Sequence, residues 1–164
     1  MSIKKILIWL PAIVMAMIIF GFSKQDGEES SGLSYKAADI ILTVCDKAGI
    51  IDCNENNRES MIEAVPFPIR KAAHMTEYFL LAIAISFPLY VYGVRGIWLM
   101  LLAGIVCVGF AGLDEYHQSF VGGRTPAIKD VGIDSSGAFI GILLVQAFCW
   151  SVLNNPNKKK KKRK

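Results

Sequence analysis

The run Ile6-Leu7-Ile8-Trp9-Leu10-Pro11-Ala12-Ile13-Val14-Met15-Ala16-Met17-Ile18-Ile19-Phe20-Gly21-Phe22 contains no charged residue. A helix that crosses the roughly 30 Å hydrocarbon layer of a bilayer needs about 20 mainly apolar residues, and this run approaches that length. Three further segments share its character. Tyr78 to Val94 is apolar after a polar lead-in that carries the expected helix back to His74, Gly96 to Leu113 is uncharged, and Val131 to Leu153 holds one acidic residue near its start. The expected architecture is therefore all-α: an integral membrane four-helix bundle with transmembrane helices over about 6–22, 74–94, 96–113 and 131–153, forming one domain over 1–153. Pro88 should kink the second helix. Trp9, Tyr90, Tyr92, Trp98 and Trp150 fall near helix ends, where interfacial aromatic residues gather.

Composition agrees with this reading. The 164 residues are 53% hydrophobic, with a mean hydropathy of +0.41, which argues against an ordinary soluble enzyme, a disordered chain or a nucleic-acid-binding domain. The formal net charge is +4, yet Lys158 to Lys164 are all Lys or Arg. The basic balance therefore belongs to a tail, residues 154–164, and not to a binding surface. Sorting the charges by side gives the orientation, because cytoplasmic segments carry an excess of Lys and Arg. With the N-terminus inside, Lys4, Lys5, Arg95 and the tail hold ten basic and no acidic residues, while all 14 acidic residues fall on the other side. Both termini are expected in the cytoplasm of a bacterial cell, with the tail as a topology anchor. Lys4 and Lys5 before an apolar run also fit a signal peptide, but the run is long and Gly21-Phe22-Ser23 is a poor cleavage site, so an uncleaved helix is preferred.

The segment from Ser23 to Pro68 then lies outside. Leu33, Ala37, Ile40, Ile41, Val44 and Ala48 recur at helical spacing, which predicts an extracytoplasmic amphipathic helix lying on the membrane or capping the bundle, with packing as the preferred role. A second short helix is expected from about Asn57 to Ala64, before Pro66 and Pro68. Cys45 and Cys53 share this segment, where free thiols are the default and a bridge requires an oxidising compartment. No Cys/His zinc spacing occurs.

Two polar constellations adjoin the outer ends of the spans. In Arg70-Lys71-Ala72-Ala73-His74-Met75-Thr76-Glu77-Tyr78, the residues Arg70, His74 and Glu77 share one helix face, with Lys71 and Tyr78 at its edge. A carboxylate facing lipid costs several kcal/mol, so this face should point into a protein cavity. In Asp114-Glu115-Tyr116-His117-Gln118-Ser119-Phe120, the residues Asp114, His117 and Gln118 share a face if the third helix continues past Leu113. Gly122 and Gly123 then let the chain turn towards Arg124. Asp130, Asp134, Gly137 and Gly141 form one stripe of the last helix, and the glycine pair allows close helix approach. The two histidines of the chain thus converge on one membrane face with several acids and three cations. Arg presents a planar fork suited to phosphate oxygens, and His titrates near neutrality, so the set suits phosphoryl or phosphodiester chemistry on a lipid head group. The competing reading is structural: ion pairs such as Arg70 with Glu77 or Arg124 with Asp130 that fix packing. Asp114, His117, Asp130 and Asp134 offer metal donors, but no motif commits them, so no metal site is assigned.

Taken together, Arg70-Lys71-x-x-His74-x-x-Glu77-Tyr78, Asp114-Glu115-x-His117-Gln118-x-Phe120, Arg124, Asp130, Asp134 and Gly137 resemble the VanZ-like family of small integral membrane proteins over about Ile6 to Leu153. The resemblance implies a link to resistance against glycopeptide antibiotics, teicoplanin in particular, by a mechanism it does not specify. It marks His74, Glu77, Asp114, Glu115, His117, Gln118, Arg124, Asp130 and Asp134 as motif positions. The basic tail is not part of the pattern. The leading expectation is a membrane enzyme acting on a lipid-linked head group or cell-wall precursor. In it, His74 or His117 serves as base or nucleophile, Glu77 and Asp114 orient them, and Arg70, Lys71, Gln118 and Arg124 hold the head group, supported by Glu115, Asp130 and Asp134. The alternative is a non-catalytic protein that binds a lipid precursor or antibiotic and alters access to its target. Membrane lipids are the expected partners, nucleic acid is not, and no cofactor is assigned.

Overall fold

The computed structural model describes residues 6–124 and 127–153, and these are all helix, turn and loop, with no strand. The helices are α1 Leu10–Ser23, α2 Gly27–Lys47, α3 Glu55–Ala64, α4 Pro66–Val91, α5 Ile97–Gln118 and α6 Ile128–Leu153. Three stretches are long and apolar enough to cross a membrane: Asn57–Val91, Ile97–Gln118 and Ile128–Val152. The first apolar run is a shorter regular helix than its sequence suggests. Pro11 sits in the first turn of α1, where a missing N–H costs least, and the chain before it breaks regularity, with 6–7 helical and a turn at 8–9 where Trp9 N–H donates to the Ile6 carbonyl. Lys4, Lys5 and the tail from 154 onward, on which the orientation argument rests, lie outside the described residues.

The boundaries of the other long helices move outward from the expected ones, towards the polar motifs. α4 begins at Pro66, again with proline in the first turn, so the whole Arg70 to Glu77 motif is helical. α5 runs through Leu113 to Gln118, and α6 starts at Ile128. α4 continues through Pro88, which stands less than one turn from its end and is buried.

The core is built from stripes. On α5 the buried positions are Leu99, Ala103, Cys107, Ala111, Asp114 and Gln118, an apolar stripe that ends in two polar residues. Ala103, Cys107 and Ala111 meet Tyr78, Leu81, Ala82 and Ile85 of α4 and Ala138 and Ile142 of α6, while Leu99 packs with Tyr90, Val145 and Cys149. α4 and α6 approach most closely: a Cβ on Gly137 would collide with the Met75 carbonyl, and one on Gly141 with the Phe79 carbonyl. Around this narrow core, Leu101, Leu102, Ile105 and Val106 of α5 and Phe139, Ile140, Leu143 and Leu144 of α6 remain exposed. An apolar belt of this extent is unsuited to water and suited to lipid.

The helices alternate in direction, so the two ends of the bundle differ. At one end Trp9 stacks on Tyr92 at 6.3 Å, and Arg95 lies over the Tyr90 ring at 5.0 Å. The other end gathers the polar motifs. There α2 packs along the start of α4, but not with the expected face. Its buried positions are Ser30, Ser34, Ala38 and Leu42, whereas Leu33, Ile40, Ile41 and Val44 are about half exposed or more. The bundle takes the small-residue side, and the apolar stripe is left outward. α3 is held to α2 by Arg58, whose guanidinium donates to Asp39 at 2.7 Å.

Candidate functional site

α4, α5 and α6 deliver their polar ends to one place. A cavity of about 340 Å3 is lined by Arg70, Lys71 and His74 of α4, Glu115 and Gln118 of α5, Arg124 of the connecting turn, and Asp130 and Asp134 of α6. The turn that carries Arg124 is fixed by backbone contact. Gly27 N–H donates to the Gly122 carbonyl at 3.1 Å, and no side chain fits at Gly27 against the Gly123 carbonyl. Gly123 has φ +73°, a conformation that suits glycine.

Arg124 is the centre of this arrangement. Its Nη1 donates to Gln118 Oε1 at 3.0 Å, and Gln118 Nε2 donates in turn to Asp114 Oδ2 at 2.9 Å. Its Nε and Nη2 reach the Gln25 and Phe22 carbonyls at 3.3 and 3.5 Å, so the guanidinium also closes the C-terminal end of α1. Burial and the neighbouring Arg70 guanidinium both press the Arg124 pKa below its ordinary value. Neither of the two structural ion pairs considered from sequence forms. Asp130 pairs with Lys71, tying α6 to α4, and among the described residues neither Arg70 nor Arg124 has a carboxylate partner. Two guanidinium groups without a direct ion pair therefore border one cavity, with the carboxylates of Asp114, Glu115 and Glu77 acting on Arg124 from farther away.

His74 stands among Arg124, Lys71 and Arg70, with its Nδ1 3.8 Å from Glu77 Oε2. That separation is too long for a hydrogen bond but close enough for a small side-chain rotation to make one. Below it lies a polar floor. Glu77 Oε2, Tyr78 Oη, Asp114 Oδ1 and Asp134 Oδ1 are buried without a hydrogen-bond partner in the protein. Buried polar atoms normally find partners, so this floor is equipped to take water, a shared proton or part of a ligand. Glu115 is committed to a structural bond, accepting from the Ala127 N–H. No group of three His, Cys, Asp or Glu side chains among the described residues is placed to hold a metal ion. Cys45, Cys53, Cys107 and Cys149 are free thiols.

The structure divides the expected catalytic set. His74 and the head-group residues Arg70, Lys71, Gln118 and Arg124 line the cavity, together with Glu115, Asp130 and Asp134. Glu77 lines an adjoining one. Asp114 is buried beneath them and lines neither. His117, expected to share the pocket with His74, also lines neither cavity and packs against α1 instead. Its ring lies 4.6 Å from that of Phe20, and its Nδ1 is 3.4 Å from Ser23 Oγ. The physical reason is rotation about the helix axis: positions 114, 117 and 118 are near one another on α5 but span enough arc for 118 to face α4 and α6 while 117 faces α1. Ser23 is a member of this polar layer that the sequence did not single out. It is 1% exposed and stands between His117 and Asp114. A serine closing an apolar run carries no local signal of such a contact.

The VanZ/LLP1 family model matches residues 8–149. The chain belongs to the VanZ/LLP1 family. No curated protein and no solved structure matches it. The match takes in α1 to α5 and nearly all of α6, so both polar motifs lie inside the VanZ-like unit. As a VanZ-like chain with three helices fit to span a bilayer, it is a membrane protein of a family linked to glycopeptide resistance.

Proposed function

We propose that this VanZ-like protein binds and acts on the phosphate-bearing head group of a lipid-linked substrate, a phospholipid or a polyprenyl-linked wall precursor, at the extracytoplasmic face of a bacterial membrane. The observation that carries the reading is the pair Arg70 and Arg124, two guanidinium groups on one cavity that form no direct ion pair among the described residues. An anion between them relieves their repulsion and offers each a forked set of oxygens. Lys71 adds a third cation, held in place by Asp130. His74 is the side chain placed to accept a proton from an attacking hydroxyl or water, and Glu77 to orient its ring. The charge asymmetry of the chain supports cytoplasmic termini and an outward-facing cavity. A changed head group or precursor at that face is a direct way for such a protein to affect teicoplanin action.

A second reading, binding without turnover, draws on the position of His117 outside the cavity, which leaves His74 as the single imidazole beside the bound anion. Comparative lipid profiling separates the two. Membranes holding the wild-type chain should show a head-group species that is lost on His74→Ala and retained on His117→Ala at equal protein abundance. An unchanged profile with intact binding transfers the assignment to the second reading. An unchanged profile without binding contradicts both.

A further inference from the structure

The polar cavity has an apolar neighbour. A second cavity, about 220 Å3, runs between α2 and α4 and is walled by Phe22, Leu33, Ala37, Ile69 and Ala73. Its polar lining includes Ser30, Ser34 and Glu77 together with Arg70, His74 and Arg124, and these last three also line the polar cavity. We infer that the ligand of this protein is a single anionic amphiphile, with its phosphate between Arg70 and Arg124 and its alkyl or prenyl chain in the groove between α2 and α4.

Resting on the head-group reading above, this adds where the chain goes. Three observations support it. The cavities share Arg70 and Arg124 beside the His74 imidazole, so one molecule with a charged end and an apolar end satisfies both. α2 turns Ser30, Ser34, Ala38 and Leu42 towards the bundle, and the small Ser30 and Ser34 line the groove. Leu33 and Ala37 of the same helix supply its apolar wall. The same rotation leaves Leu33 about half exposed at the groove's margin, in line with the outward apolar stripe, so the groove is continuous with a lipid-compatible surface. A phosphate that entered from water needs none of this.

The test is equilibrium binding of methyl phosphate and octyl phosphate to the full chain in nanodiscs of zwitterionic lipid. Each buried methylene favours binding, so the wild-type chain should prefer octyl phosphate by at least about tenfold. Ala37→Phe, which fills the groove, should remove most of that preference and leave methyl phosphate binding as it was. Arg124→Gln should weaken both probes. Methyl phosphate binding also certifies folding. If Ala37→Phe loses it, the milder Ala37→Val is read against the same expectation. An octyl preference equal in wild type and the groove variant overturns the chain path and leaves the head-group site standing. Failure of both phosphates to bind the wild-type chain overturns the site as well.

Discussion

At the scale of single residues, the informative contacts are the ones that break ranks with neighbours on the same helix. Gln118 bridges Arg124 to a buried Asp114, donating to the carboxylate's Oδ2. Gln118→Leu strips the bridge and removes a donor from a buried carboxylate, which should cost on the order of 1–3 kcal/mol in denaturant titration of the purified protein. A loss below about 0.5 kcal/mol contradicts the bridge. The residue types at the cavity were legible from sequence because intramembrane charges need a protein environment, and spacing placed Arg70, His74 and Glu77 on one face. The partners were not. Lys71 takes Asp130, and Arg124 takes main-chain carbonyls at the end of α1, which only the folded turn at Gly122 and Gly123 brings within reach. His117 illustrates the same limit: its spacing from Asp114 was correct, but one helix face is wide enough to serve two different neighbours.

Among the elements, α6 and α2 show opposite degrees of legibility. The Gly137 and Gly141 pair on α6 signalled close approach, and the structure sets each against a backbone carbonyl of α4. Gly137→Leu forces side-chain atoms into the Met75 carbonyl and should destabilise by roughly 1–3 kcal/mol or more. Gly112 of α5 has open space around it, so Gly112→Ala should stay within about 0.5 kcal/mol of wild type or gain slightly in helix propensity. Equal effects of the two substitutions, measured by unfolding in mixed micelles, contradict the packing. In α2 the amphipathic period was readable, and the expected packing face was not the one used. Periodicity reports that one side of a helix is apolar. It does not say whether lipid or protein satisfies that side, and in a membrane-associated chain both are available. The face that α2 gives to α4 is small and partly polar, a choice that fits a groove better than a sealed core.

For the whole molecule, alternation of helix direction gathers charge at one end and Trp9, Tyr90, Tyr92 and Arg95 at the other. If the polar end faces outward, a membrane-impermeant maleimide should label Cys45 and Cys53 in intact cells, while a thiol introduced by Arg95→Cys should react only after permeabilisation. The reverse pattern contradicts the orientation. Fold class and three of the four expected spans were legible because a bilayer imposes length and polarity limits that few sequences meet by chance, while the first apolar run forms a helix shorter than a span. The helix ends were not, since residues 66–73 and 114–118 are too polar to be counted as span yet continue α4 and α5 out of the apolar layer. That extension is what brings Arg70, Lys71, His74, Glu115 and Gln118 to one cavity, and the central claim concerns what the cavity holds. The most direct measurement is calorimetric titration of glycerol 1-phosphate into the wild-type chain and into Arg70→Gln and Arg124→Gln. Each guanidinium contributes charge-assisted hydrogen bonds, so the account predicts saturable one-site binding that weakens at least about tenfold in either variant. Binding of equal strength in all three proteins, or no binding to the wild-type chain, contradicts it.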